Sequence, residues 1–214
     1  AVDMPGHGES DFQPKLTSLE EYVDWLADWI TDDIQQAVIV MGHSMGSMMA
    51  LNFSFRYPHL CKGIVALNSV YRRSVEAKQS VQNRALEMQN GQGGEKIIDP
   101  IKRWFDTPPK ANEKEIAELC RQWLLNAPIE GYTRAYQIFS DNDGPNDKDL
   151  KQLALPALFI TGRGDLNSSA EMSQQMAQLC PSGTSHVIEG AKHMAQMTHA
   201  TTINPLMLQF VEQC

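Results

Sequence analysis

The chain has 214 residues, which predicts one domain with a core of ordinary size. A hydrophobic fraction of 42% is typical of a soluble globular protein, and no apolar run approaches the ~20 residues that span a bilayer. The formal net charge of −8 disfavours nucleic acid and anionic membrane surfaces as partners.

The N-terminal stretch is too short to form a strand of its own. Ala1 to Asp3 resemble the end of a strand, so we expect the first part of the domain to precede this sequence. Met4 to Ser10 form a turn-rich loop. Ser18, followed three residues later by Glu21, predicts a capping box at the start of an amphipathic helix.

A strand-to-helix junction carries the main chemical signal. The apolar run 37–41 predicts a strand buried on both faces. Gly42-His43-Ser44-Met45-Gly46 follows, and small and apolar residues then continue at helical spacing to Tyr57. Gly-x-Ser-x-Gly in this context is the pattern of a nucleophile elbow. We expect Ser44 in a strained turn, with no room for a side chain at either flanking glycine, and the Met45 amide as a donor to an oxyanion.

The remaining pattern predicts a parallel sheet with an insertion. Apolar runs at 63–68, 157–161 and 185–188 predict three more strands that alternate with helices. Residues 71–152 carry helical patterns and no convincing strand, which predicts a helical cap over the carboxyl edge of the sheet. The predicted division is therefore an α/β core at 1–70 and 153–214 and a cap at 71–152.

A serine nucleophile needs a base, and an acid that orients the base. In a parallel sheet such groups gather at the carboxyl ends of the strands. Asp165 follows the run 157–161, and His193 follows the run 185–188. The predicted triad is Ser44, Asp165 and His193, in the chain order that is typical of α/β-hydrolases.

Other candidates for the base and the acid are weaker. The remaining histidines lie in turns, inside a strand or near helix ends: His7, His43, His59, His186 and His199. The His43 side chain should point away from the nucleophile. Asp141 and Asp143 precede a Gly-Pro turn and are expected to form it, and a turn-forming role is also the alternative for Asp165.

These motifs together resemble the α/β-hydrolase superfamily, and within it the bacterial group of 3-oxoadipate enol-lactonases, small carboxylesterases and cofactor-free haloperoxidase-like enzymes. The resemblance lies in the stretches 3–10, 42–46, 162–169 and 190–194. It implies a doubly wound, mostly parallel sheet with a helical cap. It also implies that three family strands and a His-Gly loop, the source of a second oxyanion donor, would precede Ala1.

The resemblance implies a serine hydrolase that cleaves an ester or lactone of a small to medium organic acid through an acyl-enzyme, with no metal and no cofactor. One alternative is a carbon–carbon bond hydrolase of aromatic catabolism with the same triad. Another is a ligand-binding receptor on a hydrolase scaffold. Aromatic residues of the cap are expected to line the substrate pocket: Trp104, Trp123, Tyr132, Tyr136 and Phe139.

The cysteines give no sign of metal binding. Cys61, Cys120, Cys180 and Cys214 are scattered, with no CxxC pair and no metal spacing. We expect reduced thiols and a cytoplasmic protein whose partner is a small-molecule substrate.

Overall fold

A computed structural model describes residues 1–91 and 95–214 of the chain. Residues 92–94 of the predicted glycine-rich break lie outside the described residues. The chain forms two compact units, which are described separately below. Unit 1 comprises residues 1–22 and 73–143, and unit 2 comprises residues 23–72 and 144–214. The predicted core and cap boundaries stay a prediction.

Unit 2 contains a parallel sheet, as the sequence predicts. Its strands lie in the order β1-β2-β3-β4, and each neighbouring pair is parallel. Their ranges are β1 Val38–His43, β2 Cys61–Leu67, β3 Ala157–Gly162 and β4 Gly183–Ile188. All four predicted strands are confirmed, with ends that differ by at most two residues. Because the four strands are parallel, their carboxyl ends lie at one edge of the sheet.

One expectation about burial is wrong. The sequence predicts that β1 is buried on both faces, yet its residues are only half-buried and Met41 is 42% exposed. The physical reason is position, because β1 lies at one end of the sheet that the described residues form and pairs only with β2 there. The inner strand β3 is buried along its whole length.

Helices cover the sheet of unit 2. They are α2 Met45–Arg56, α7 Asp147–Gln152, α8 Ala170–Leu179, α9 Ala195–Thr198 and α10 Ala200–Gln213. Ile203 and Phe210 of α10 pack into one apolar cluster with Val65 and Ile160 of the inner strands. The sequence analysis did not find α7, which is short and mostly polar.

Unit 1 is helical. Its helices are α1 Leu19–Trp29, which continues into unit 2 after Tyr22, α3 Val75–Gln89, α4 Ile101–Trp104, α5 Lys114–Asn126 and α6 Ile129–Asp141. The early loop packs closely on α6, since a Cβ atom added to Gly131 would lie 2.0 Å from the Gly6 carbonyl oxygen. Arg134 of α6 also donates to the Leu16 carbonyl at 2.7 Å. The absence of a side chain at Gly131 therefore lets the loop approach the helix.

The predicted capping box at the start of α1 is confirmed. The Glu21 amide donates to Ser18 Oγ at 3.2 Å, and the Ser18 amide donates to Glu21 Oε2 at 3.0 Å. Two amides without helical acceptors are thereby satisfied.

Ser18→Ala is expected to lower the free energy of unfolding by about 1 kcal/mol, because the Glu21 amide loses its acceptor. Urea unfolding followed by circular dichroism measures this change. Ser80→Ala is the matched control, since Ser80 is exposed in the interior of α3 and alanine is the better helix former there. Equal stability of the two variants would contradict the role of the cap.

Candidate active site

Ser44 lies in a strained turn between β1 and α2. Its backbone has φ 53° and ψ −117°, a conformation that costs a residue other than glycine about 1–3 kcal/mol. The surrounding backbone holds this turn in place. The Ser44 amide donates to the Leu67 carbonyl at 2.9 Å, and the Ser47 amide donates to the Ser44 carbonyl at 3.0 Å. The strained turn predicted by Gly-x-Ser-x-Gly is present.

The two glycines of the elbow differ in their surroundings. A Cβ atom at Gly42 would lie 1.9 Å from the Gly46 carbonyl oxygen, so the predicted collision is confirmed there. At Gly46, a Cβ atom would meet nothing within 4 Å among the described residues, and the predicted collision is wrong. The turn crosses over Gly42, whereas Gly46 lies in the first turn of α2 and faces open space. Met45 is the first residue of α2, and its role as an oxyanion donor stays a prediction.

The loops after β3 and β4 lie against each other. The Gly164 amide donates to the Ala191 carbonyl at 2.9 Å, and the Arg163 amide donates to the Ile188 carbonyl at 3.0 Å. A Cβ atom at Gly162 would lie 2.4 Å from the Lys192 carbonyl oxygen, so only glycine allows this approach. The acid loop and the histidine loop therefore meet at one sheet edge.

This contact brings Asp165 and His193 together. The distance from Asp165 Oδ2 to His193 Nδ1 is 2.8 Å, and both residues are buried. The other two aspartates have different partners. Asp143 pairs with Arg73 at 3.0 Å, and Asp141 accepts from the Gln137 amide group at 2.9 Å.

Asp165 accepts three further hydrogen bonds. Asn68 Nδ2 donates to Oδ2 at 2.7 Å, and the amides of Asn167 and Ser168 donate to Oδ1 at 2.8 and 3.2 Å. Burial alone would raise the pKa of Asp165. The hydrogen bond and charge of His193, with the donors from Asn68 and Asn167, outweigh burial and hold the pKa below its usual value. An ionised Asp165 accepts a hydrogen bond from the Nδ1–H group of His193. In a neutral ring that carries its proton on Nδ1, the lone pair is on Nε2.

The sequence analysis missed Asn68. It directly follows β2, has φ 50° and is fully buried, and its side chain reaches the acid. Its carbonyl accepts from Ser168 Oγ at 2.7 Å, which ties the acid loop to the end of β2. The predicted strand 63–68 included Asn68, so the criterion of a polar residue just past a strand end passed over it. The strand in fact ends at Leu67.

His43 lies against the predicted base. Its Nε2 is 2.8 Å from the His193 carbonyl oxygen, and the two rings lie 4.8 Å apart. Burial, followed by repulsion from His193, lowers the pKa of His43 to about 3. His43 is therefore neutral and donates from Nε2 to this carbonyl. The contact ties the backbone of His193 to the residue that precedes Ser44, a role that the sequence did not indicate.

The predicted aromatic residues all belong to unit 1. In α6 the rings of Tyr132 and Tyr136 lie 6.2 Å apart, and those of Tyr136 and Phe139 lie 5.8 Å apart. Trp104 is half-buried, whereas Trp123 is 54% exposed. Their contact with substrate stays a prediction.

The described part of the chain shows neither a metal-binding cluster nor a membrane-spanning helix. Within residues 1–91 and 95–214, no group of three histidine, cysteine, aspartate or glutamate side chains is arranged to hold a metal ion. In the same residues, no helix has the length and apolar character needed to cross a membrane.

Asp165→Asn is expected to lower turnover of a p-nitrophenyl ester by up to ~10⁴-fold, because the amide favours the wrong tautomer of His193. Steady-state kinetics measure the effect. The matched control is Asp141→Asn, which changes an exposed carboxylate and should leave turnover nearly unchanged. Turnover within about tenfold of wild type for Asp165→Asn would contradict the assignment of the acid.

The free energy of unfolding should depend on pH, because His43 is neutral in the folded protein. Its folded pKa, about 3, lies below its ordinary value of 6.5, so the unfolded chain binds the proton first and stability falls as pH drops below 6.5. By pH 5 this loss amounts to about 2 kcal/mol. Urea unfolding at pH 7 and pH 5 should therefore show a smaller loss for His43→Gln, which keeps a donor and does not titrate.

His59→Gln is the control for this pH effect, since His59 is exposed after the end of α2. It should keep the wild-type pH dependence. An equal slope for wild type and His43→Gln would contradict the neutral state of His43 in the folded protein.

Comparison with known proteins identifies the family. The family model for the alpha/beta hydrolase fold matches residues 1–200. An (E)-2-((N-methylformamido)methylene)succinate hydrolase of Acinetobacter baylyi is 36% identical over 212 residues, which cover 99% of this chain and 79% of that protein. A 2-hydroxy-6-oxononadienedioate/2-hydroxy-6-oxononatrienedioate hydrolase of Cupriavidus pinatubonensis is 22% identical, over 98% of this chain and 74% of that one.

A solved structure agrees with these relatives. A thermophilic esterase of Thermogutta terrifontis superposes with a TM-score of 0.87 and 25% identity, covering 99% of this chain and 78% of the esterase. The predicted fold class and the predicted hydrolase type are thus confirmed. The chain belongs to the α/β-hydrolase fold family.

Proposed function

We propose that this protein is a serine hydrolase that uses Ser44, His193 and Asp165 to cleave an acyl bond of a small organic acid. The observation that carries the proposal is the 2.8 Å contact between Asp165 and the buried ring of His193. His43, the neighbour of Ser44, holds the backbone of that same histidine. A strained serine and an oriented histidine are the two parts that nucleophilic acyl transfer requires.

The proposed reaction proceeds in two stages. His193 accepts the hydroxyl proton of Ser44 on Nε2 as the serine oxygen attacks the acyl carbon. The Met45 amide, at the N-terminus of α2, donates to the oxyanion, and the leaving group takes the proton from His193. Water, activated by His193, then releases the acid from Ser44. Asp165 stays ionised throughout and stabilises the charged imidazole, and Asn68 holds the Asp165 carboxylate in place.

The relatives narrow the substrate class. The 36% identical relative is named for a succinate that bears an N-methylformamido group, and the second relative is named for a nonadienedioate. Both names describe dicarboxylic acids. We therefore propose a substrate with a free carboxylate, whose cleaved bond is an ester, a lactone or an acyl bond to nitrogen.

Carbon–carbon bond hydrolysis is the second candidate function. It is favoured by the similarity to the nonadienedioate hydrolase. The same serine, histidine and aspartate would serve it. A panel of carboxylate-bearing esters, lactones, N-acyl compounds and dienoic ketoacids separates the two, since turnover of the ketoacids alone would favour the second candidate.

Ser44→Ala should abolish both labelling by a fluorophosphonate and esterase activity, because the probe forms its bond with the nucleophilic hydroxyl. Mass spectrometry of the labelled peptide locates the site. Ser80→Ala, at an exposed helix position, should label as wild type does. Labelling that persists in Ser44→Ala would refute the nucleophile, and a folded protein that is neither labelled nor active would favour a ligand-binding receptor.

A further inference from the structure

Unit 1 contains a cluster of two arginines and two tyrosines, here called the arginine–tyrosine cluster. Its members are Arg84 of α3, Arg103 of α4, and Tyr132 and Tyr136 of α6. The guanidinium carbon of Arg84 lies 5.5 Å from the centre of the Tyr136 ring, and the two tyrosine rings are 6.2 Å apart. The positive charges of Arg84 and Arg103 lie close enough to the phenols of Tyr132 and Tyr136 to act on the pKa of both. All four side chains are half-buried.

The tyrosines supply no negative charge to this cluster. Burial raises the pKa of Tyr132 and Tyr136, although the neighbouring arginines act in the opposite direction. Both phenols are therefore neutral near pH 7 and can donate a hydrogen bond. Arg84 has further interactions of its own. The Nε atom of Arg103 is buried and has no hydrogen-bond partner among the described residues.

Arg73, in the same unit, contrasts with Arg103 because groups of the protein accept its hydrogen bonds and balance its charge. It lies over the Phe139 ring at 4.2 Å, and its side chain is almost fully buried. It donates to the carbonyls of Phe139 and Asn142 and pairs with Asp143 at 3.0 Å. A buried guanidinium is stable when its donors and charge are matched in this way. Arg103 has a buried donor that the described residues leave unmatched.

The missing partner is best supplied by a ligand. A guanidinium presents planar, forked donors that match the two oxygens of a carboxylate, and phenol hydroxyls can donate to the same oxygens. We propose that the arginine–tyrosine cluster is a binding site for the carboxylate group of a small organic acid. A dicarboxylate of the class proposed above would present such a group. That link rests on the proposed function, whereas binding itself needs no turnover.

The test is calorimetric titration of the protein with succinate, which has no hydrolysable bond. Wild type should bind succinate, and Arg103→Gln should weaken binding by about 10- to 100-fold, because charge-assisted hydrogen bonds are lost. Arg121→Gln is the matched control, since Arg121 lies on α5 of the same unit and forms an exposed pair with Glu118 at 3.4 Å. It should bind as wild type does.

Several outcomes would overturn the proposal. They are no binding of succinate by wild type, equal affinity of Arg103→Gln and wild type, equal weakening in the Arg121→Gln control, or tighter binding of inorganic phosphate than of succinate. If Arg103→Gln fails to fold, Tyr136→Phe decides in its place, with an expected weakening of about fivefold for one lost donor. Ser44→Ala should still bind succinate, so a failure of the proposed hydrolase and a failure of this site are distinguishable.

Discussion

The hydrogen bond between Asp165 and His193 is the interaction around which the candidate site is built. A buried carboxylate is costly unless its charge and lone pairs are matched. Here the matching comes from the ends of three strands: Asn68 after β2, the amides of Asn167 and Ser168 after β3, and His193 after β4. The same bonds that stabilise the anion therefore hold these three strand ends together. The parallel order of the strands makes this possible, because it brings their carboxyl ends to one edge.

The strain at Ser44 is supported by the same framework. Its amide is bound by the carbonyl of Leu67, the last residue of β2, and Asn68 follows directly with its own positive φ. Two unfavourable backbone conformations thus occur just after the ends of neighbouring strands, at the place where Ser44 and Asp165 are positioned. His43 completes this arrangement by joining the end of β1 to the backbone of His193. Its neutral ring adds a hydrogen bond without placing a positive charge beside His193.

Buried charges in unit 1 are also matched by oppositely charged and hydrogen-bonding groups. Arg73 is matched by Asp143 and by two carbonyls, and Asp143 is matched in turn by Lys78 at 2.6 Å. These bonds join the start of α3 to the end of α6. The arginine–tyrosine cluster lies between the same two helices and α4 and has more donors than the described residues use. Family membership alone does not set a substrate, so it is in such side chains that selectivity has to be sought.

The sequence by itself determined the order of strands and helices, the elbow at Ser44 and the choice of Asp165 and His193. These features depend on local patterns: apolar runs of strand length, a glycine-flanked serine, and polar residues just past strand ends. Only the tertiary structure decided the roles of Asn68 and His43, the open surroundings of Gly46 and the exposure of β1. Each of these depends on contacts between residues far apart in the chain, as between His43 and His193, and local patterns carry no information about such distances. The arginine–tyrosine cluster is of the same kind, since three separate helices supply its side chains.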